Sequence, residues 1–140
     1  MKVYGLDDRV YNIQLEKYTV PKNSKAKKSN PHSRARGLVR ERYSGAQVFE
    51  EVKIEGIICN QKKTKLYLDF FVPERYVVVE VHGEQHYKYN KFFHKGRADF
   101  LYSLNRDTKK AEWCELNDFK LIILKHSDTD DEWRDQIFNS

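Results

Sequence analysis

Two carboxylates, Asp69 and Glu80, stand within two short runs rich in aromatic and β-branched residues, Leu66 to Val72 and Tyr76 to His82, separated by Pro73, Glu74 and Arg75. Such runs favour strands and the Pro-containing interval favours a turn, so the segment is expected to fold back as a β-hairpin. Antiparallel pairing about a turn centred between Glu74 and Arg75 sets Asp69 directly opposite Glu80. Facing side chains have Cβ atoms about 5 Å apart, and like charges there destabilise a sheet unless something neutralises them. A divalent cation would do so. Mg²⁺, with Mn²⁺ able to substitute, takes one or two carboxylates plus waters and phosphate oxygens, so metal is expected to bind through the substrate as much as through the protein. Strand alternation puts Glu80 and His82 on the face of Asp69 and turns Val79 and Val81 to the other, apolar side. The competing reading is a solvated outer face whose acids are neutralised by nearby Lys or Arg; a one-residue slip in register would also separate the pair.

The elements around this hairpin follow from periodicity and punctuation. Val48 to Ile58 alternates Val52 and Ile54 with Glu51, Lys53 and Glu55, as a half-exposed strand does. Ser33 could cap a helix running through Leu38, Val39 and Tyr43 to about Ser44, stopped by Gly45. A longer helix is expected from about Arg97 or Ala98 to Asn117, then a nearly all-apolar run from Phe119 to Leu124 that suits a buried parallel strand. Trp133, Ile137 and Phe138 are spaced for a small terminal helix. The expected fold class is therefore α/β, in the order α-β-β-β-α-β, with a mixed sheet that contains an antiparallel hairpin and a parallel last strand, flanked by helices. Residues 1 to 20 show no clear period.

The totals bound the function. A chain of 140 residues is the size of one domain, and its 14% aromatic content is that of a folding sequence. The formal charge of +5 and pI near 9.1 point weakly to an anionic partner. Lys22, Lys25, Lys27, Lys28, Arg34 and Arg36 fall in a stretch without acids. That stretch is expected to be a basic arm lying along phosphates, so residues 1–36 are read as an N-terminal segment and 37–140 as the catalytic domain. Cys59 and Cys114 form no CxxC pair and are expected to be buried thiols in a reducing, cytoplasmic setting. No apolar run is long enough for a bilayer.

The run LDFFVPERYVVVEVHGEQHY, from Leu68 to Tyr87, resembles the PD-(D/E)XK nucleases, in the branch of the very-short-patch-repair-like (Vsr-like) endonucleases and related phage homing enzymes. The resemblance continues more weakly through Asn105, Arg106 and Asp107 into the strand beginning at Phe119. It implies a restriction-endonuclease-like core and a Mg²⁺-dependent endonuclease of a bacterial or phage-infected cell, cutting DNA, with one-strand nicking and RNA both left open. It makes Asp69 the central metal ligand and Glu80 the second acid. His82 stands where the superfamily has Lys, so the base is not fixed; a neutral imidazole can orient or deprotonate a water without supplying a fixed charge. Gln85 and His86 could hold the attacking water or the scissile phosphate, and Glu41 is where such folds commonly add an outer acid. Arg106 and Lys110, four apart on the long helix, could contact phosphate, or could be two solvated helical charges. The implied chemistry is hydrolysis in which the ion polarises a phosphoryl oxygen and acidifies a water.

Other readings make different demands. His82 and His86, four apart, invite a zinc site with His94, Cys59 or Cys114, but HGEQH is not HExxH, its Gly follows a strand and the cysteines are remote in sequence, so no structural zinc is expected. An HNH-like nuclease would need a metal-ligating helix directly behind its hairpin. An inactive nucleic-acid-binding module would explain His82 but not the retention of both acids, and a plain structural subunit would leave the facing acids unexplained. Monomer and homodimer are equally compatible with the sequence.

Overall fold

The computed structural model of the chain describes residues 1–19, 30–59, 61–83 and 97–140. Strands β1 (Lys2–Tyr4) and β2 (Val10–Asn12) form a small antiparallel ladder, followed by a single 3-10 turn at Leu15–Tyr18. Then come α1 (Asn30–Arg42), β3 (Phe49–Cys59), β4 (Lys62–Val72), β5 (Val77–His82), α2 (Arg97–Leu116), β6 (Lys120–Lys125) and α3 (Asp130–Phe138). The main sheet has the order β3-β4-β5-β6, antiparallel through β5 and parallel between β5 and β6. The mixed α/β class and the order from α1 to β6 are those expected from the sequence.

The sheet is covered on both sides, which is why β5 reads as a nearly unbroken apolar run. On one side Trp113 and Cys114 of α2, with Val3 and Ile13 of the N-terminal ladder, pack on Val52, Ile54, Leu68, Phe71 and Val78. On the other, Ala35, Leu38 and Val39 of α1 and Trp133 and Ile137 of α3 pack on Phe70, Val72, Val79 and Leu124. Burying each such large aliphatic or Phe side chain contributes roughly 1.5–3 kcal/mol before entropy is counted. Thr129 opens α3 with a reciprocal capping box to Glu132.

Three local features depart from the expected boundaries. Helix α1 begins at Asn30 rather than near Ser33; Pro31 suits a first turn, where its missing N–H has no helical acceptor to lose. The boundary expected between residues 36 and 37 consequently falls inside α1, and Val3 and Ile13 belong to the shared core. Strand β4 begins at Lys62 because Lys62, Lys63 and Thr64 pair with Cys59, Ile58 and Ile57, an extension held by backbone bonds rather than side-chain alternation. A bulge between Ile54 and Ile57 contains Gly56 at φ 81°, where a Cβ would come 2.8 Å from the Gly5 backbone. The missing side chain lets the N-terminal ladder seat against β3, with the Leu6 N–H donating to Gly56 O at 2.8 Å. Among the described residues, no helix is long and apolar enough to cross a membrane.

Candidate metal centre

The hairpin turn is a short 3-10 turn, Pro73–Arg75, closed by Tyr76 in the left-handed region, and the ladder runs Val72↔Val77, Phe71↔Val78, Phe70↔Val79. Asp69 and Glu80 are the next facing pair, as expected. There the regular ladder ends and the side chains bridge the strands instead. The Asp69 N–H donates to Glu80 Oε2 at 2.6 Å, and the Val81 N–H donates to Asp69 Oδ2 at 2.8 Å. The second Glu80 oxygen accepts from the Lys110 ammonium of α2.

These acids are not a solvated face. Glu80 is 2% exposed and His82 8%, while Asp69 is half-buried. Burial pushes the Glu80 carboxyl up to about 8, and the Asp69 charge beside it adds to this, against the pull of Lys110. Burial likewise raises Asp69, despite the Val81 hydrogen bond and the charges of Lys110 and His32. Lys110 is held above its ordinary value because the Glu80 and Asp69 charges outweigh its own burial. Among the described residues, these two desolvated carboxyls share the Lys110 ammonium, and a divalent cation with oxygen preference would balance the remaining negative charge.

The third strand supplies another acid. Glu50↔Phe70 and Val52↔Leu68 bracket a position where Glu51 faces Asp69. Glu51 has φ 54°, a conformation rarely adopted by non-glycine residues. Alternation breaks on both strands: Phe49 and Val52 lie in one core layer, as do Leu68 and Phe71, whereas Phe70 lies in the other. Glu50 is turned to the α1 side, where His32 stacks on Phe70 at 4.5 Å between centroids. One ligand atom each from His32, Glu51 and Asp69 lie within 4.8 Å of one another. Behind them, buried Glu50 accepts from His32 Nε2 at 2.6 Å and from Arg36 at 2.8 and 2.9 Å, with Arg40 at 3.5 Å. Burial alone would raise the Glu50 carboxyl, but the His32 and Arg36 hydrogen bonds and charges outweigh it and bring it down to about 2.

The other expected site residues are distributed unevenly. His82 follows Glu80 on the same face of β5. Lys110 is an ion-pair partner of Glu80, not a solvated charge, and Arg106 lies half-buried one turn before it on α2. Glu41 is exposed and held by Arg134 of α3 at 2.8 and 3.1 Å; the acid that comes within ligand reach of Asp69 is Glu51. Arg34 bonds Asp130 at 2.7 Å and covers the Trp133 ring, and Arg36 is committed to Glu50, so both hold the fold rather than extend a basic arm. Lys22, Lys25, Lys27, Lys28, Gln85 and His86 lie outside the described residues. Cys59 and Cys114 are buried free thiols, and burial, with the Glu80 charge adding, pushes Cys114 up to about 12. Lys65 and Tyr67 alternate with buried Leu66 and Leu68, so an exposed basic and aromatic stripe runs along β4 to Asp69.

No known family profile matches the chain, and no solved structure matches it. Three viral proteins are similar in sequence. The uncharacterized protein 094L of frog virus 3 (isolate Goorha) is 33% identical over 85 residues, covering 60% of this chain and 55% of that protein. The uncharacterized proteins 033L of invertebrate iridescent virus 3 and 307L of invertebrate iridescent virus 6 are 37% and 34% identical over 62 residues, covering 44% of this chain and 32% of each of theirs. The chain thus spans about half the length of the first of these relatives and a third of the other two.

Proposed function

We propose that this chain is a metal-dependent endonuclease with a restriction-endonuclease-like core of the PD-(D/E)XK type, hydrolysing phosphodiester bonds in DNA. The observation that carries this reading is the facing pair of acids, half-buried Asp69 and buried Glu80, each tied to the opposite strand and backed by Lys110. Asp69 and Glu80 would hold the cation, Mg²⁺ or Mn²⁺. A bound divalent cation supplies Lewis-acid polarisation of the phosphoryl oxygen and an acidified water.

The protein's own part is to fix geometry and charge. The bridges from Asp69 N–H to Glu80 and from Val81 N–H to Asp69 lock both carboxylates in orientation, which reduces reorganisation when substrate arrives. Lys110 supplies from α2 a fixed positive charge that His82 cannot supply from β5. His82, with Gln85 and His86, remains the set from which a water-orienting base would come. Lys62, Lys63 and Lys65 beside Tyr67 offer phosphate contacts and a stacking surface leading to the centre.

The test is incubation of supercoiled plasmid with Mg²⁺, Mn²⁺ or EDTA. Cleavage is expected with either ion and none with EDTA; cleavage in EDTA would overturn the reading. Binding of DNA by the wild type with no cleavage under any ion would point to a nuclease fold that only binds.

A further inference from the structure

We infer that His32 and Glu51 are ligands of the same metal centre, making it a mixed imidazole–carboxylate site that takes a first-row transition ion such as Mn²⁺ in preference to Mg²⁺. This rests on the metal-centre reading above and adds two ligands to it. His32 comes from α1, Glu51 from β3 and Asp69 from β4, so three successive elements bring one ligand atom each within 4.8 Å of the others. Three ligands spread evenly around an ion at about 2.1 Å lie about 3.6 Å apart, so a movement of under about 1 Å by each side chain closes the site.

The surroundings of His32 are those of a held ligand. Glu50 binds Nε2 at 2.6 Å and the ring stacks on Phe70, which together fix its plane; with Nε2 engaged by Glu50, Nδ1 is assigned as the coordinating nitrogen. A carboxylate on the far nitrogen sets the tautomer and raises the basicity of a metal-binding imidazole. Glu50 is in turn held by Arg36 and Arg40, so it does not itself compete for the ion. The left-handed backbone at Glu51 turns that side chain out of the buried layer of Val52 and Ile54. Imidazole is a poor ligand for Mg²⁺ and a good one for ions later in the first transition row, so its presence shifts preference while the carboxylates, Glu51 and Asp69 beside it among them, keep Mn²⁺ well accommodated.

Mn²⁺ alone is the probe, followed on the full chain by electron paramagnetic resonance. Titration reports affinity, and electron spin-echo modulation reports a directly bound imidazole nitrogen. The wild type is expected to bind Mn²⁺ with nitrogen coupling, and Mg²⁺ to compete only at about tenfold or greater excess. His32→Gln should abolish the coupling, and Glu50→Gln should weaken binding by about 10–100-fold. Glu51→Gln, an exposed and conservative change that leaves the core intact, should weaken binding by at least about tenfold. Mn²⁺ binding without nitrogen coupling, or with coupling that survives His32→Gln, overturns this assignment. If Asp69→Asn still removes binding in that case, the Asp69–Glu80 centre stands without His32. No Mn²⁺ binding by the folded wild type overturns this four-ligand assignment; the Asp69–Glu80 centre, which takes its ion partly through the substrate, is then decided by metal-dependent plasmid cleavage.

Discussion

Asp69 and Glu80 each use one carboxylate oxygen to bind a backbone N–H of the opposite strand, so two acids, one buried and one half-buried, take the place of the backbone ladder where it ends. An acid placed only for charge would not need this. Asp69→Asn and Glu80→Gln keep an oxygen acceptor for those bonds and remove the charge. Each is expected to lower cleavage at least ~100-fold, ~2.7 kcal/mol in the barrier, while circular dichroism stays that of the wild type. Activity within a few-fold of wild type in both would remove these acids from the chemistry.

Stability of the metal-free protein should have an unusual pH profile. Glu80 has a folded pKa raised to about 8, so its contribution is fully present below its ordinary value of 4.5 and is lost as pH rises toward 8. Glu50 has a folded pKa lowered to about 2, so its contribution is present above 4.5 and is lost as pH falls toward 2. The two windows meet near pH 5, where chemical denaturation should find maximum stability. Saturating Mn²⁺ should recover most at pH 8, since metal binding favours the ionised carboxyls. A metal-free maximum above pH 7 would contradict this balance.

Glu50 and Glu41 should behave as opposites. Glu50→Gln leaves His32, Arg36 and Arg40 without their buried counter-charge and is expected to cost about 3–5 kcal/mol by urea denaturation. Glu41→Gln breaks an exposed pair with Arg134 and should leave cleavage at wild-type level. A large loss of activity in Glu41→Gln would restore it as an outer acid.

The basic stripe on β4 can be counted. Lys63→Glu with Lys65→Glu should weaken DNA binding in filter or anisotropy assays and lower the slope of log affinity against log salt by about 0.9 for each phosphate no longer neutralised. An unchanged slope would place the nucleic acid elsewhere on the surface.

What was legible in the sequence was what short range determines. The register of Asp69 and Glu80 follows from one turn between adjacent strands, and α2, β6 and α3 follow from their apolar spacing. Strands β1 and β2, with three residues each, are too short to show a period. Glu51 looked like one of several outward acids on β3, because alternation assumes extended backbone and its positive φ breaks that assumption. The same facing logic applied to β3 and β4 could have paired it with Asp69. His32 and Glu50 had no such signal, since their meeting depends on how α1 docks on the sheet. Lys110 was placed on its helix but not aimed at Glu80, thirty residues away, because helix phase against the sheet is a packing outcome.

The most direct measurement is paired binding and cleavage of one DNA substrate by wild type and Asp69→Asn in Mn²⁺. Wild type is expected to bind and cut, and Asp69→Asn to bind with wild-type thermal stability and leave the DNA intact. Cleavage by Asp69→Asn at the wild-type rate would contradict the assignment of Asp69 to the metal centre, and with it the proposed activity of this site.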